Sequence, residues 1–423
     1  MKSVSLLLKN AFGYSLVNVL NAAIPFFMLP ILTRVLLPEE YGVIAMFNAL
    51  LGLLGAFTGL SVQGSINVRY VDRKEIDYPR FVTSNIVILF FSTFVTLLLI
   101  EFFSDEISTV TSIPVEWLVV AVLISGLNIL IQFRLSLWMM AAKVQQYGKF
   151  QISMAVVNIT FSLFFVLVMK YGYEGRFLGQ TIAIVLFGLL GVVSMVKEGY
   201  VDLLPKWEYV VESLKFGIPL IPHMIGVVLI GYADRFLISK YLGLDATGIY
   251  MVAAQFGLGM GLLIDAFNKA FVPWLFEQLK DGRMVVKEHI VKVTWLYFIA
   301  ILIFATLLST ISYWLLLLIA GEQYVRGTEA LKWIFFALSF HGMYMMVTNY
   351  ILFSKKTYVL TWITLSSGIA SLGLSWVLIP IYGITGAGVS VFIVMFIRFL
   401  LVWYFANRVL QMPWFIVFKR NII

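Results

Sequence analysis

Apolar stretches of about 20 residues, the length a helix needs to cross bilayer hydrocarbon, follow one another along almost the whole chain. Only short gaps separate them. A bilayer offers no partner to backbone polar groups, so only helices and closed barrels can span it. Barrel strands alternate apolar and polar residues. Runs such as ILFFSTFVTLLLI (88–100) do not alternate. The fold class is therefore an all-α integral membrane protein. With 61% hydrophobic and 12% charged residues among 423, against roughly 25% charged in a soluble domain, no sizeable soluble domain is left to build.

Twelve spans are expected, at 10–33, 41–67, 81–103, 117–138, 150–169, 177–196, 214–239, 246–275, 293–319, 331–353, 358–379 and 385–406. Trp117 and Trp138 stand where an aromatic belt would bracket the fourth. The first span lacks a small-residue cleavage pattern and is read as uncleaved. With the N-terminus in the cytoplasm, inner loops and ends hold twenty Lys and Arg, and outer loops five: Arg34, Lys170, Arg176, Lys240 and Arg326. That bias follows the positive-inside rule and puts both termini in the cytoplasm. It also accounts for the formal charge of +8 without nucleic acid. The absence of cysteine excludes disulfides, thiolate metal sites and a cysteine nucleophile.

The chain repeats itself. LTRVLLPEEYGV (32–43) aligns with ISKYLGLDATGI (238–249), and YGYEGRFLG (171–179) with YGITGAGVS (382–390). Each half has six spans, so the repeat is parallel, with lobes at 1–205 and 206–423. Transporters of this build place substrate between their halves. The first span of each half carries proline, Pro25 and Pro30 in one, Pro219 and Pro222 in the other. Proline inside a helix removes a backbone bond and kinks it, so these positions are expected gating kinks.

Charge inside a bilayer costs at least ~2.5 kcal/mol on insertion scales, so each such residue needs a reason. Lys332 can pair with Glu329, and Glu101 sits near a span end. Asp265 and Lys269, spaced i, i+4, can pair along one helix. Asp234 and Arg235 are adjacent and are expected to project apart, each toward another helix or a wet cavity. Arg134 and Arg398 have no acid three or four residues away. Arg398 lies ten residues before Arg408, about 15 Å of helix. The guanidinium fork fits phosphate oxygens; Arg134, Arg235 and Arg398, with the Lys269 ammonium, are the candidate substrate-binding cations. Asp265 and His223 are the candidate ion-coupling groups. No residue set calls for a cofactor or a metal.

FGIPLIPHMIGVVLIGYADRFLISKYLGLDATGIYMVA (216–253) and LPILTRVLLPEEYGV (29–43) resemble bacterial polysaccharide flippases of the Wzx-type, O-antigen branch of the multidrug/oligosaccharidyl-lipid/polysaccharide exporter superfamily. The resemblance runs essentially end to end. It implies a V-shaped, two-lobed transporter of the bacterial inner membrane rather than an enzyme. It implies movement of an undecaprenyl-pyrophosphate-linked oligosaccharide from the cytoplasmic to the periplasmic leaflet by alternating access. Coupling to an ion gradient or membrane potential is also implied, and membrane lipids, a polysaccharide polymerase and a chain-length regulator are the implied partners. Two other readings compete. A drug exporter or lipid II flippase shares the fold, but drug exporters favour acidic cavities, and lipid II flippases usually have two more spans. A polysaccharide polymerase or ligase would need a large outer loop, and the longest here is about 104–116.

Overall fold

The computed structural model describes residues 26–414 apart from 203 and 355–357, together with residues 13, 17, 20, 21 and 24. The described residues form helices joined by short turns, with no strand. After a helical stretch at 26–32 come α1 (Pro38–Phe57), α2 (Gln63–Arg69), α3 (Tyr78–Phe102), α4 (Ser104–Thr111), α5 (Val115–Met140), α6 (Val144–Leu163) and α7 (Gly172–Lys197). The second half holds α8 (Trp207–Gly217), α9 (Ile221–Asp281), α10 (Met284–Leu315), α11 (Thr328–Phe353) and α12 (Tyr358–Val409).

Nine of the described helical stretches are long and apolar enough to cross a membrane. Two of these are broken by a glycine. In α9 the break is Gly243 (φ 84°, ψ 179°), and in α12 it is Gly383 (φ 63°, ψ −145°). Each therefore counts as two spans, which makes eleven. The first expected span, 10–33, lies largely outside the described residues. Side chains with a β-carbon resist positive φ, so glycine lets each long helix fold back within one residue.

The repeat is visible in the backbone. Gly172 and Gly383, aligned in sequence, both have positive φ, 57° and 63°. Three residues on, a β-carbon on Gly175 would press on the backbone of Phe165 and Val166, and one on Gly386 on Leu378 and Ile379. The two halves then meet through a reciprocal crossing of α1 and α9. A β-carbon on Gly42 would collide with the Leu244 carbonyl, and one on Gly248 with the Pro38 carbonyl. Pro38 aligns with Leu244 and Gly42 with Gly248, so each half offers the same patch to the other. Around this crossing the Gln323 amide donates to the Thr33 carbonyl at 2.8 Å, and the Tyr324 hydroxyl to the Leu36 carbonyl at 3.1 Å. Arg326 pairs with Asp245 at 3.1 Å. This is the seal end of the molecule.

The opposite end is basic. Here α8 docks on α2 and α3: the Ser65 hydroxyl donates to Ser213 at 3.3 Å, the Lys206 amide to the Ser84 hydroxyl at 2.9 Å, and Arg69 pairs with Glu212. Pro219 lies in a tightening of the helix, and Pro222 stands in the first turn of α9. A 3₁₀ turn, Ile218–Leu220, separates α8 from α9. Pro30 lies in helical backbone, and Pro25 lies outside the described residues. Trp138 is buried, 6% exposed, and so is not the lipid-facing belt residue expected of it.

Because a backbone carbonyl fills the space beside Gly248, Gly248→Ala should loosen the seal at a cost of about 1–3 kcal/mol. Disulfide yield between Asp245→Cys and Arg326→Cys, on the natural cysteine-free background, should fall several-fold. Gly261→Ala, where an added β-carbon meets nothing within 4 Å, should leave the yield unchanged.

Candidate functional site

Three of the buried charges are neutralised by protein. Arg134 on α5 is fully buried. Its Nη2 binds the Glu198 carboxylate, its guanidinium lies 3.9 Å over the Trp138 ring, and Lys143 holds the other Glu198 oxygen at 2.7 Å. The expectation that Arg134 waits for an anion fails on chain geometry. The turn after α7 brings Glu198, 64 residues away, onto the end of α5, a contact that local spacing cannot reveal. Asp234 and Arg235 likewise do not project apart. The long guanidinium reaches around the α9 backbone to pair with Asp234 Oδ1 at 3.0 Å, and the buried Tyr250 hydroxyl donates to Oδ2 at 2.5 Å. Lys332 pairs with Glu329 at 2.6 Å, as expected. Glu101 lies exposed at the end of α3.

Arg398 is different. It projects from the second arm of α12 toward α11. Its Nη2 donates to the Tyr344 hydroxyl at 2.9 Å and the Thr364 hydroxyl at 3.3 Å, and the guanidinium lies 4.0 Å from the Tyr344 ring centre. Its Nε is buried without an acceptor, as are Nε and Nη1 of Arg134, so the difference lies in the missing carboxylate. His341 stacks on Tyr344, the two rings 5.7 Å apart, and its Nδ1 is also buried without a partner. All the partners of Arg398 are neutral hydroxyls, and no carboxylate pairs with it among the described residues. A buried polar nitrogen without an acceptor is costly, so the site has unmet demand for one. The sequence pointed to Arg398 but not to the Tyr344 and Thr364 that hold it.

Asp265 and Lys269 do not form the expected pair. No ion pair joins them among the described residues; Asp265 is half-buried and Lys269 exposed. Along the same arm of α9, Asn268 accepts from the buried Asn349 amide at 2.9 Å. His223, next to Pro222, is exposed. Among the described residues no group of three or more His, Cys, Asp or Glu could hold a metal. Arg176, expected in an outer loop, instead sits inside α7. Its Nη1 donates to Asn158 Oδ1 at 2.6 Å and to the Ser162 hydroxyl at 2.8 Å, both on α6.

The family model described as polysaccharide biosynthesis protein matches residues 7–279. A Haemophilus influenzae protein of the Lsg locus is 25% identical over 358 residues, covering 82% of this chain and 85% of its own length. A membrane protein of the same organism is 23% identical over 375 residues, 87% and 89% of the two chains. Among solved structures, an inward-facing multidrug-resistance MATE-family transporter of the MOP superfamily superposes with a TM-score of 0.76 at 12% identity, over 92% of this chain and 94% of that one. The lipid II flippase MurJ in an inward closed conformation gives 0.75 at 16% identity, over 92% and 87%. The bent form of the Vibrio cholerae MATE transporter VcmN gives 0.62 at 15%, over 97% and 98%. The chain thus has the V-shaped, two-lobed fold of these exporters.

The Arg134–Glu198 pair yields a stability prediction. Burial pushes the Glu198 carboxyl up, but hydrogen bonds from Lys143 and Arg134 outweigh it and hold the carboxyl below its ordinary value. A depressed carboxylate contributes stability above the unfolded pKa, near 4.3, and loses it as pH falls through the lower folded value. Glu198→Gln strands the buried guanidinium. It should cost toward the lower end of ~3–5 kcal/mol, because the Glu198 side chain is 28% exposed. Melting temperatures of the two proteins should differ most at neutral pH and converge in acid.

Proposed function

We propose that this chain, which belongs to the polysaccharide biosynthesis protein family, is a flippase for an isoprenoid-pyrophosphate-linked oligosaccharide. It carries the headgroup and glycan from the cytoplasmic to the periplasmic leaflet of the bacterial inner membrane by alternating access. The observation that carries this reading is Arg398. It is a fixed positive charge deep in a membrane lobe, held by hydroxyls that do not neutralise it, with a buried donor left without an acceptor. A pyrophosphate supplies oxygens that can take two parallel bonds from the fork. A drug-like cation would be repelled.

The positive-inside rule supports a cytoplasmic position for the basic end; in this reading the seal at Gly42 and Gly248 closes the periplasmic side. The substrate then enters from the cytoplasm, and opening of the seal releases it outside. The halves 1–205 and 206–423 serve as the moving lobes. The docking of α8 onto α2 and α3 favours flexing at the 3₁₀ turn, Ile218–Leu220, slightly beyond that boundary. Lys269, free of its expected partner, is available to the substrate, whereas Arg134 and Arg235 shape the lobes through their carboxylates. No catalytic step is needed. Protein partners in this role would be the polymerase and chain-length regulator that receive the product.

Arg398→Ala should abolish surface polysaccharide while membrane protein level stays normal, and Arg398→Lys, which keeps charge but loses the fork, should retain part of it. Full surface polysaccharide in the alanine variant would remove Arg398 from the headgroup site.

Asp265, half-buried and without an ion-pair partner among the described residues, is the proposed coupling group, with His223 second. Asp265→Asn should weaken the dependence of transport on an imposed proton or sodium gradient in proteoliposomes. Unchanged dependence at normal expression would exclude it.

A further inference from the structure

Among the described arginines that are not exposed, Arg176 is a second without a carboxylate, and it lies in the other half. It sits one turn into α7, at the seal end, beside the buried Tyr41 of α1. Tyr41 in turn packs edge-on against Tyr324, 5.9 Å between ring centres, at the edge of the seal. Nearby acids are engaged elsewhere. Glu40 accepts from the Tyr173 amide at 3.2 Å and the Leu37 amide at 3.0 Å, and Glu174 points to the exterior. Arg176 binds only neutral groups, the Asn158 carbonyl oxygen and the Ser162 hydroxyl. Its Nε and Nη2 have no acceptor among the described residues, and neither is among the enclosed orphan atoms.

A second observation points the same way. Tyr147, Gln151, Asn158 and Ser162 fall on one face of α6, and all four are buried or half-buried. They form two polar pairs about 22 Å apart end to end, Tyr147 and Gln151 toward the basic end and Asn158 and Ser162 beside Arg176, with Met154 and Ala155 between them. Gln151 donates to the Tyr147 hydroxyl at 3.2 Å, and its Oε1 is buried without a partner. A lobe that needed Arg176 only for packing would be expected to give it a carboxylate, as Glu198 serves Arg134.

We propose that Arg176, with Asn158 and Ser162, forms a second oxyanion station just inside the periplasmic seal. It receives the phosphate oxygens of the headgroup after Arg398 and before release. This rests on the flippase reading above, and it assigns the two halves different steps: Arg398 takes the anion deep in the second half, and Arg176 takes it near the exit in the first.

The test uses the full-length protein in nanodiscs and labelled inorganic pyrophosphate in equilibrium dialysis. In phosphatidylcholine discs the wild type should bind two anions. Arg176→Gln and Arg398→Gln should each remove one. In discs rich in phosphatidylglycerol, loss of the Arg176-dependent site would identify a lipid headgroup as its occupant, and its persistence a free anion. Asn158→Asp guards against a folding artefact, because it places a carboxylate on Nη1 without changing shape. It should hold or raise the melting temperature, yet remove the Arg176-dependent anion and lower surface polysaccharide at least ten-fold. Normal anion stoichiometry and normal polysaccharide in Asn158→Asp would make Arg176 a packing residue and overturn the proposal. If Arg398→Gln abolishes one site and Arg176→Gln none, the flippase reading stands and the second station falls. If neither variant changes binding or polysaccharide, the headgroup reading itself falls.

Discussion

Two helices from different halves cross at Gly42 and Gly248 with no side chain between them, so that each glycine lies against a backbone carbonyl of the other half. Hydrocarbon solvent gives helices little hydrophobic reason to associate, and close backbone approach at small residues is one of the ways membrane helices hold together. The crossing is reciprocal because the sequence is duplicated. One local solution, a helix start followed four residues later by glycine, is used twice and satisfies both sides. Everything at the seal end is arranged around it: the Gln323 and Tyr324 bonds to α1's leading loop, the Arg326–Asp245 pair, and the fold-back at Gly243 that brings Leu244 into place.

At the other end the contacts are of a different kind. There α8 is tied to the first half by hydroxyl bonds and charged pairs that face water on one side. Exposed pairs of this sort contribute little each, whereas the packed glycine crossing cannot be separated without losing its contacts all at once. A molecule closed by packing at one end and by weak polar ties at the other is suited to exchange which end is open. The 3₁₀ turn at Ile218–Leu220 supplies the place where the backbone can bend.

The interior charges divide by what faces them. Where a carboxylate arrives, as Glu198 does for Arg134 and Asp234 for Arg235, the arginine stiffens its lobe. Where only hydroxyls and amides arrive, as for Arg398 and Arg176, the charge stays available to something that is not protein. Burial alone does not separate these cases, since the most deeply buried arginine among the described residues, Arg134, has a carboxylate partner.

The spans after the first, the duplication and the 3₁₀ turn at Ile218–Leu220 were legible in the sequence, because each is set by local chemistry. Apolar length decides what enters the bilayer, and proline and glycine decide where helices break. Repeated motifs repeat the same turns, as the matching φ of Gly172 and Gly383 demonstrates. The family, too, follows from those motifs. The partners of the buried charges were not legible. Arg134 meets an acid 64 residues away, Arg235 bends back onto its own neighbour, Asp265 and Lys269 stay apart despite their helical spacing, and Arg176 turns from an expected loop into the lobe. An ion pair is decided by which helix faces land against each other, and only the tertiary packing decides that. The sequence determined which residues carry charge into the membrane. The packing determined which of those charges remain unsatisfied, and so where an anionic headgroup could be held.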